Sequence, residues 1–281
     1  MIDLHCHTTC SDGSDSPWDL VEKAKDIGLS AVAITDHDIF RGYSEARAAG
    51  TEYGMEVVPG VELSSMYSGK HIHLLAYYAD PQNKALCALM DRAVRERIRR
   101  NKSMVKRLEK AGYPVSWKEL SERNAGNFML GRPHVAEILM EKGIISSIQE
   151  GVEKLMGKGG RFFVERYHIP LLDYVRAVRE AHGVPVIAHL YQYRMDTEAL
   201  RQMIAECADA GLMGLEGLYS TYTPEQEAEV RALAEEFGLI RTGGSDYHGT
   251  RKPKIHLGTG LGNLAVPDEM LEHLKEAAKK A

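Results

Sequence analysis

Near its start the chain carries the run Ile2-Asp3-Leu4-His5-Cys6-His7, in which apolar and polar side chains alternate as they do in a β-strand. Successive side chains of a strand point to opposite faces, so His5 and His7 share one face while Cys6 points away. Two imidazoles on one face can bind a metal ion together. Strand ends often carry histidine without any chemical role, so this pair alone is a weak signal.

Six further runs of apolar or β-branched residues follow this strand, and helical patterns separate them. The runs cover residues 31–35, 56–61, 71–77, 184–189, 213–218 and 239–242. This alternation predicts an α/β protein with a parallel sheet. Two helix starts support it, because Ser16-Pro17 and Thr223-Pro224 each place a capping hydroxyl before a proline at the first helical position.

The alternation stops between about Gln82 and Pro170, where the sequence predicts helices only. A long charged helix is expected from Ala85 to Lys110, and shorter helices near residues 117–123, 133–141 and 147–156. We therefore expect a barrel domain formed by residues 1–81 and 171–281, with residues 82–170 as a helical insertion that covers the active site. Periodicity leaves open the alternative that these helices only pack against the sheet.

Composition limits the function classes. A chain of 281 residues with 44% hydrophobic residues can bury a substantial core. Its net charge of -5 argues against binding of long nucleic acid but leaves room for a short phosphorylated substrate. There is neither a signal-peptide pattern nor an apolar run of membrane-spanning length, so we expect a cytoplasmic protein without membrane association. Its four cysteines lack zinc-finger spacing and are expected to be free thiols.

Histidines and carboxylates stand at or near the ends of nearly all the predicted strands. They are Asp12, Asp36, His37, Asp38, Glu62, His71, His73, His189, Glu216, Asp246 and His248. A βα barrel builds its active site at this end of its strands. Burying so many carboxylates together is costly without cations, and imidazole and carboxylate ligands suit Zn, Mn or Fe. Cys10 is close enough in sequence to be considered as a ligand, although a plain turn thiol is the commoner case.

Taken together and in this order, the motifs resemble the PHP superfamily, named for polymerase and histidinol phosphatase domains. The matching pieces are His5-Cys6-His7 with residues 8–13, Ile34-Thr35-Asp36-His37-Asp38, residues 60–64, His71-Ile72-His73, Ala188-His189 and residues 243–249. The resemblance implies a distorted (β/α)7 barrel of the TIM type and a site for three divalent metal ions. One departure is Leu190, where many relatives carry proline, and we expect it to have little effect on metal binding.

Carried over position by position, the resemblance implies three ligand sets. The first ion would take His5, His7, Glu62 and Asp246; the second would share Glu62 and add His73 and His189; the third would take Asp12, His37 and His248. His71 is then not a ligand. His37, His189 and Asp246 are also expected to act in catalysis.

Within the superfamily, the chain is most similar to the branch of the nucleoside 3',5'-bisphosphate phosphatase and the RNase AM-like proteins. The features that carry this placement are Gly131-Arg132-Pro133-His134 and Leu215-Glu216 with Tyr219, Tyr222 and residues 223–226. We expect hydrolysis of a phosphate monoester of a small nucleotide, such as a nucleoside 3',5'-bisphosphate or a 5'-mononucleotide, by a hydroxide formed on a metal ion. His189 and a metal-bound water are both candidates for the acid that protonates the leaving alcohol.

Several residues are candidate substrate contacts. Arg132 and His134 are expected to hold a phosphate, with helix capping as the alternative because Arg132-Pro133 stands at a helix start. Lys158, Arg161 and Arg166 flank glycines in a loop that could close over the substrate, although basic residues in such loops are more often solvated. Tyr219 and Tyr222 could stack on a base or sugar, although tyrosines after a strand more often pack at its rim.

Other functions remain compatible with the same residues. The chain could be a cyclic phosphodiesterase, a histidinol-phosphate-type phosphatase or a 5'-to-3' exonuclease on short RNA. An alternative of another class is a metal-binding regulatory module without turnover. The complete ligand set argues against such a module, because loss of activity is usually accompanied by a missing histidine or aspartate.

Overall fold

The computed structural model describes residues 1–123, 130–165 and 167–281. The strands among these residues are β1 (Ile2–Cys6), β2 (Ala31–Ile34), β3 (Glu56–Tyr67), β4 (Lys70–Tyr77), β5 (Ile169–Pro170), β6 (Val184–Ile187), β7 (Gly214–Tyr219) and β8 (Ile240–Gly244). The helices are α1 (Pro17–Asp26), α2 (Tyr43–Tyr53), α3 (Lys84–Lys110), α4 (Trp117–Arg123), α5 (Arg132–Glu141), α6 (Ile148–Glu150), α7 (Leu171–Glu180), α8 (Thr197–Asp209), α9 (Pro224–Glu236) and α10 (Glu269–Ala278).

The sheet curls into a nearly closed barrel. Its strands follow the order β1, β2, β3, β4, β6, β7 and β8, and β5 pairs with β3 outside this path. Two backbone hydrogen bonds of 2.9 Å connect β1 with the residues after β8, from His7 N to Tyr247 O and from Asp246 N to His5 O. The predicted distorted seven-stranded barrel of the TIM type is confirmed.

The expectation of an entirely parallel sheet is wrong at β4, which runs antiparallel to β3 and to β6. Only Ser68 and Gly69 connect β3 to β4, and both have positive φ, 45° and 75°. A two-residue loop with positive φ at both positions is a hairpin connection, whereas a parallel crossover needs a dozen or more residues. β3 and β4 therefore form a long hairpin within the barrel wall.

The helices begin where the sequence places capping residues. Ser16 Oγ accepts a hydrogen bond from Asp19 N, and Thr223 Oγ1 accepts one from Gln226 N. These bonds satisfy amide groups that the first turn of a helix leaves without partners. α3 buries an apolar stripe that includes Met90 and Met104.

The segment between β4 and β5 has two apolar environments. The first half of α3 packs with α7 in the barrel core, whereas the second half shares a core with α4 and α5. The helix predicted over residues 147–156 is α6 followed by a π-helical turn, Gly151–Leu155. A separate insertion of residues 82–170 stays a prediction. Arg166, a predicted residue of the loop near the substrate, lies outside the described residues.

None of the described helices is both long and apolar enough to cross a membrane.

Candidate metal centre and active site

All nine predicted metal ligands lie together at one end of the barrel. They form four overlapping groups, within each of which the ligand atoms are no more than 4.8 Å apart. The groups are His7, Asp12, His37 and His248; His5, Glu62 and His189; His5, His7 and Asp246; and His37, Glu62 and His73. The structure thus brings the nine residues together, while the number of ions stays a prediction.

Glu62 is the centre of the cluster. Its two carboxylate oxygens lie 2.7 Å from His73 Nδ1, 2.9 Å from His189 Nε2, 3.0 Å from His37 Nδ1 and 3.1 Å from His7 Nε2. His5 Nε2 lies slightly farther away, 3.5 Å from Glu62 Oε1, so five imidazoles surround this carboxylate. Glu62 could therefore serve as a ligand of more than one ion. Glu62 lies in the middle of β3 rather than at its end, because β3 continues to Tyr67, paired with β4.

His73 reaches the cluster from the beginning of β4, since this strand runs in the opposite direction. His71 points to the same side of the strand but belongs to none of the four groups. Its ring packs edge-on against His168, with 4.2 Å between ring centroids. Of the two histidines in this motif, His73 therefore belongs to the cluster, whereas His71 lies beside it.

Outer hydrogen bonds fix the orientation of the imidazoles. His5 Nδ1 lies 2.8 Å from Glu216 Oε1, and the other oxygen of Glu216 accepts a 2.7 Å hydrogen bond from His189 N. His248 Nδ1 lies 2.9 Å from the backbone oxygen of Asp246. These contacts engage Nδ1 and direct Nε2 of both histidines to the cluster, as outer partners of metal ligands commonly do.

We expect replacement of Glu216 by glutamine to weaken metal binding about 10- to 100-fold, the usual effect of losing an outer hydrogen-bond partner of a metal ligand. Glutamine keeps the size of the side chain and removes its charge. The measurement is the affinity of the metal-free protein for Mn²⁺. An affinity equal to that of the unchanged chain would contradict this role of Glu216.

The cluster fits divalent cations. His5 Nε2, His7 Nε2 and His37 Nδ1 are buried, and none of them makes a hydrogen bond within the described part of the chain. Burial is the main cause that lowers the pKa of His37 to about 3, which keeps this imidazole neutral. A metal ligand requires an imidazole nitrogen without a proton. Buried nitrogens that form no hydrogen bond and face carboxylate oxygens are suited to this role.

The carboxylates are held in the charged form. Burial alone would raise the pKa of Asp12, but His37 and His248 lower it well below its usual range. Burial likewise opposes the low pKa of Glu62, which His73 and His37 cause. Although burial lowers the pKa of His5 and His7, the surrounding carboxylates raise it above the usual value. Carboxylate oxygens together with imidazole nitrogens form a donor set suited to Zn, Mn or Fe.

The backbone is unusual at two ligands and beside a third. Asp246 has a φ of 59°, His189 of 26°, and Asp38, which follows His37, of 53°. Left-handed backbone at a residue other than glycine costs of order 1–3 kcal/mol and occurs frequently at functional sites. The strained backbone is therefore consistent with a functional site.

A cavity of about 270 Å³ opens beside the cluster. On the side of the metal cluster, the cavity is lined by Asp12, His37 and His73. The segment between β4 and β5 contributes four cationic side chains to the lining, namely Arg97, Arg100, Arg132 and Lys158. The cavity thus connects the metal cluster to a positively charged wall.

Arg132 is the clearest anion-binding group of this wall. It lies in the wall without a salt bridge to any described carboxylate, and burial together with the nearby Arg97 lowers its pKa. A largely buried guanidinium next to another cation is electrostatically unfavourable until an anion binds. Lys158 also lines the cavity, whereas Arg161 is exposed and lies over the ring of Phe162 instead.

His134 does not line this cavity. Its Nδ1 accepts a 3.0 Å hydrogen bond from Gly131 N, and its Nε2 lies 3.1 Å from Arg251 Nη1. Burial and then Arg251 lower its pKa to about 4. The capping alternative therefore describes its position, and its predicted phosphate contact gains no support from the geometry.

Tyr219 and Tyr222 are buried, with 3% and 4% exposure, and neither is among the described residues that line the cavity. The hydroxyl of Tyr219 donates a 2.7 Å hydrogen bond to Asp246 Oδ2, and Lys252 Nζ approaches the same oxygen to 2.7 Å. The stacking role predicted for these rings gains no support here. Tyr219 and Lys252 instead engage one oxygen of Asp246 and leave Oδ1 facing the cluster.

Sequence reasoning missed Lys252, Arg97 and Arg100. A signal for Arg97 was present, because the buried stripe of α3 continues through Arg97 and Asn101 between Ala93 and Met104. A charged residue on the apolar face of a helix needs a buried partner, and it therefore marks a candidate site. Nothing in its local sequence distinguishes Lys252 from an ordinary loop lysine.

Known proteins resemble this chain over nearly its whole length. A 5'-3' exoribonuclease of Haemophilus influenzae is 31% identical, over 88% of this chain and 89% of its own length. A phosphoribosyl 1,2-cyclic phosphate 1,2-diphosphodiesterase of Eggerthella lenta is 32% identical, over 91% of this chain and 97% of its own length. A 3',5'-nucleoside bisphosphate phosphatase of Chromobacterium violaceum is 29% identical, over 88% of this chain and 87% of its own length.

The fold has a counterpart among solved structures. A protein of Bifidobacterium adolescentis, assigned as a metal-dependent phosphoesterase, superposes with a TM-score of 0.86 at 32% identity, covering 98% of this chain and 96% of its own. The family model of the PHP domain matches residues 3–169. The chain therefore belongs to the PHP domain family and is a metal-dependent phosphoesterase.

Proposed function

We propose that the chain hydrolyses a phosphate monoester of a small nucleotide, with a nucleoside 3',5'-bisphosphate as the preferred class and a 5'-mononucleotide as the simpler one. The observation that carries this proposal is the cavity with ligand side chains at one wall and arginines at another. A substrate with two phosphates can place one at the metal cluster and the other at Arg132. The Chromobacterium violaceum relative, a 3',5'-nucleoside bisphosphate phosphatase, supports this choice.

Three divalent ions, of Zn, Mn or Fe, are part of the proposal. The first would be held by His5, His7, Glu62 and Asp246, the second by Glu62, His73 and His189, and the third by Asp12, His37 and His248. When bound, such ions supply Lewis acidity, which lowers the pKa of water and stabilises negative charge on the transferring phosphate.

The protein's own groups bind and orient the substrate. The planar guanidinium of Arg132 offers two donors that match two phosphate oxygens. Arg100 and Lys158 add positive charge to the same wall of the cavity. His189 lies buried beside Glu62, with 2.9 Å between its Nε2 and Glu62 Oε1, as expected of a ligand of the second ion.

The decisive experiment compares four substrates with the Mn²⁺-loaded protein. We expect the highest kcat/KM for a 3',5'-bisphosphorylated nucleoside, a lower value for a 5'-mononucleotide, and lower values still for a cyclic phosphate and for short 5'-phosphorylated RNA. Preference for the RNA would favour the exonuclease that the Haemophilus influenzae relative represents. Failure to hydrolyse any of the four substrates with Mn, Zn or Fe would instead support the alternative of a metal-binding regulatory module without turnover.

Replacement of Arg132 by methionine tests the charged wall. Loss of a hydrogen bond to a charged group costs about 1.5–3 kcal/mol, so we expect KM for the bisphosphate to rise roughly 10- to 100-fold. The value of kcat should change little, because the second phosphate does not react. The effect should be much smaller for a 5'-mononucleotide.

Arg161→Met is the matched control for this variant. It removes an arginine of the neighbouring loop that lies outside the cavity lining among the described residues. We expect its KM to stay within about twofold, the range of a typical neutral surface substitution. Equal effects of both substitutions, or none from Arg132→Met, would remove Arg132 from the phosphate site.

A further inference from the structure

We propose that Arg97 and Arg251 are positioning residues that fasten α3 and α5 to the loops carrying Asp12, His37 and His248. Docking of these helices and binding of the third ion would then favour each other. The inference rests on the third ion of the proposed function. It concerns metal binding alone and does not depend on which phosphoester is hydrolysed.

Arg97 connects α3 to the residue that follows His37. Its side chain is buried, and Nη2 donates 2.9 Å hydrogen bonds to Asp38 Oδ2 and to Ser64 Oγ. The other oxygen of Asp38 accepts a 2.7 Å hydrogen bond from Ser64 N. Because Asp38 has a φ of 53°, these bonds hold a strained backbone directly beside a metal ligand.

Arg251 makes the second connection, from the turn that follows His248. Its Nη1 donates a 3.0 Å hydrogen bond to the backbone oxygen of Gly13, next to Asp12, and lies 3.1 Å from His134 Nε2. Its Nη2 lies 3.3 Å from Glu137 Oε2. His134 and Glu137 belong to α5, so a single guanidinium joins this helix to both loops.

The two loops are also bonded to each other. Ser14 N donates a 3.1 Å hydrogen bond to His248 O, and Thr250 N donates a 2.9 Å hydrogen bond to Ser14 Oγ. Displacement of one loop therefore moves the other. These bonds hold the loops of Asp12 and His248 together, and 3.3 Å separates His248 Nε2 from Asp12 Oδ1.

Three other ligands have no such connection through their side chains. In residues 1–123, 130–165 and 167–281, the hydrogen bonds and ion pairs of His5, His189 and Asp246 all go to residues outside the segment between β4 and β5. Arg97 also contacts Ser64, two residues after Glu62, so we expect the fastening to act mainly on the third ion, whose ligands Asp12 and His37 each precede a contacted residue. By linkage, a change that strengthens binding of this ion also strengthens docking of α3 and α5, and the reverse holds equally.

The test counts bound Mn²⁺ by equilibrium dialysis of the full chain against a range of free Mn²⁺, without substrate. We expect Arg97→Met and Arg251→Met to lower the affinity of one of three ions about 10- to 100-fold, as losses of outer partners do. The other two ions should bind as before. Arg97→Lys keeps the positive charge beside Asp38 and should bind the third ion more tightly than Arg97→Met does. Arg251→Lys loses the planar fork that joins Gly13 to Glu137 and should bind it no better than Arg251→Met does.

Arg107→Met is the matched control. Arg107 also lies on α3, but its Nη1 bonds to Phe163 O and touches neither loop. We expect it to bind all three ions with unchanged affinity. Should Arg97→Met fail to fold because the charge of the buried Asp38 is no longer balanced by the guanidinium, the double variant Arg97→Met with Asp38→Asn removes both charges and is used in its place.

Hydrogen exchange supplies the reciprocal measurement. Mn²⁺ should increase the protection of the amides of α3 and α5 in the unchanged chain and in Arg107→Met, but not in Arg251→Met. Wild-type binding of only two ions would overturn both this inference and the proposed ion count. Three ions in the wild type with unchanged affinity in the Arg97 and Arg251 variants, or an equal loss in Arg107→Met, would overturn the inference alone.

Discussion

Replacement of Asp246 by asparagine should lower phosphatase activity at least about a thousandfold while the protein remains folded. Asp246 Oδ1 lies 3.5 Å from His7 Nε2 and 3.7 Å from His5 Nε2, in the first of the proposed ion sites. Loss of about 4 kcal/mol of charge stabilisation by a metal ion corresponds to that factor. The measurement is kcat/KM for the preferred nucleotide with saturating Mn²⁺.

Asparagine is the informative substitution at this position because it preserves the geometry. Asp246 has a φ of 59°, and asparagine adopts left-handed backbone more readily than alanine does. Its side-chain oxygen can still accept the hydrogen bond from Tyr219 or Lys252. The main change is therefore the ligand charge, and circular dichroism should show a native fold.

Asp15→Asn is the matched control for Asp246→Asn. Asp15 is a carboxylate of the neighbouring rim, bonded to Lys23 and to the hydroxyl of Tyr247, and it belongs to none of the ligand groups. We expect activity within about twofold of the unchanged chain, as for a typical neutral surface substitution. Full activity in a folded Asp246→Asn protein depleted of metal would disprove the metal-dependent mechanism that we propose for the cluster.

The sequence predicts the strands of the barrel well, because each is a short apolar run bounded by turn residues. It did not reveal that β4 is antiparallel, since side-chain alternation is the same in both strand directions. The available signal was the spacing of Ser68 and Gly69 between two strands, which fits a hairpin. The direction of His73 towards the cluster depends on this reversal.

The candidate ligands could be listed from sequence because they occur in short motifs at or near predicted strand ends, and the resemblance to the PHP superfamily gave the set of nine. The charged wall could not be assembled in the same way, since Arg97 and Arg132 come from different helices whose relative positions depend on tertiary packing. Tyr219 illustrates the opposite case. Its place after Glu216 suggested a ring that could stack on a base or sugar, but the ring packs into the barrel core and its hydroxyl donates to Asp246.

Removal of divalent ions should lower the melting temperature of the protein by about 5–10 °C for each ion lost. An ion present at about 100 times its Kd stabilises the native state by about 2.7 kcal/mol. Each kcal/mol corresponds to about 2–4 °C for a chain of roughly this size. The physical cause is that Glu62, Asp12 and Asp246 are buried together, and a divalent cation offsets their repulsion more completely than the surrounding imidazoles do.

Glu62→Gln separates this effect from general effects of salt. Glu62 is surrounded by five imidazoles and would be a ligand of two of the proposed ions, so its glutamine variant should lose most of the temperature rise that Mn²⁺ produces. Sodium chloride at matched ionic strength should give no comparable rise in either protein, because screening acts on exposed charges and these are buried. An equal Mn²⁺-induced rise in Glu62→Gln and the unchanged chain would mean that the ions bind elsewhere.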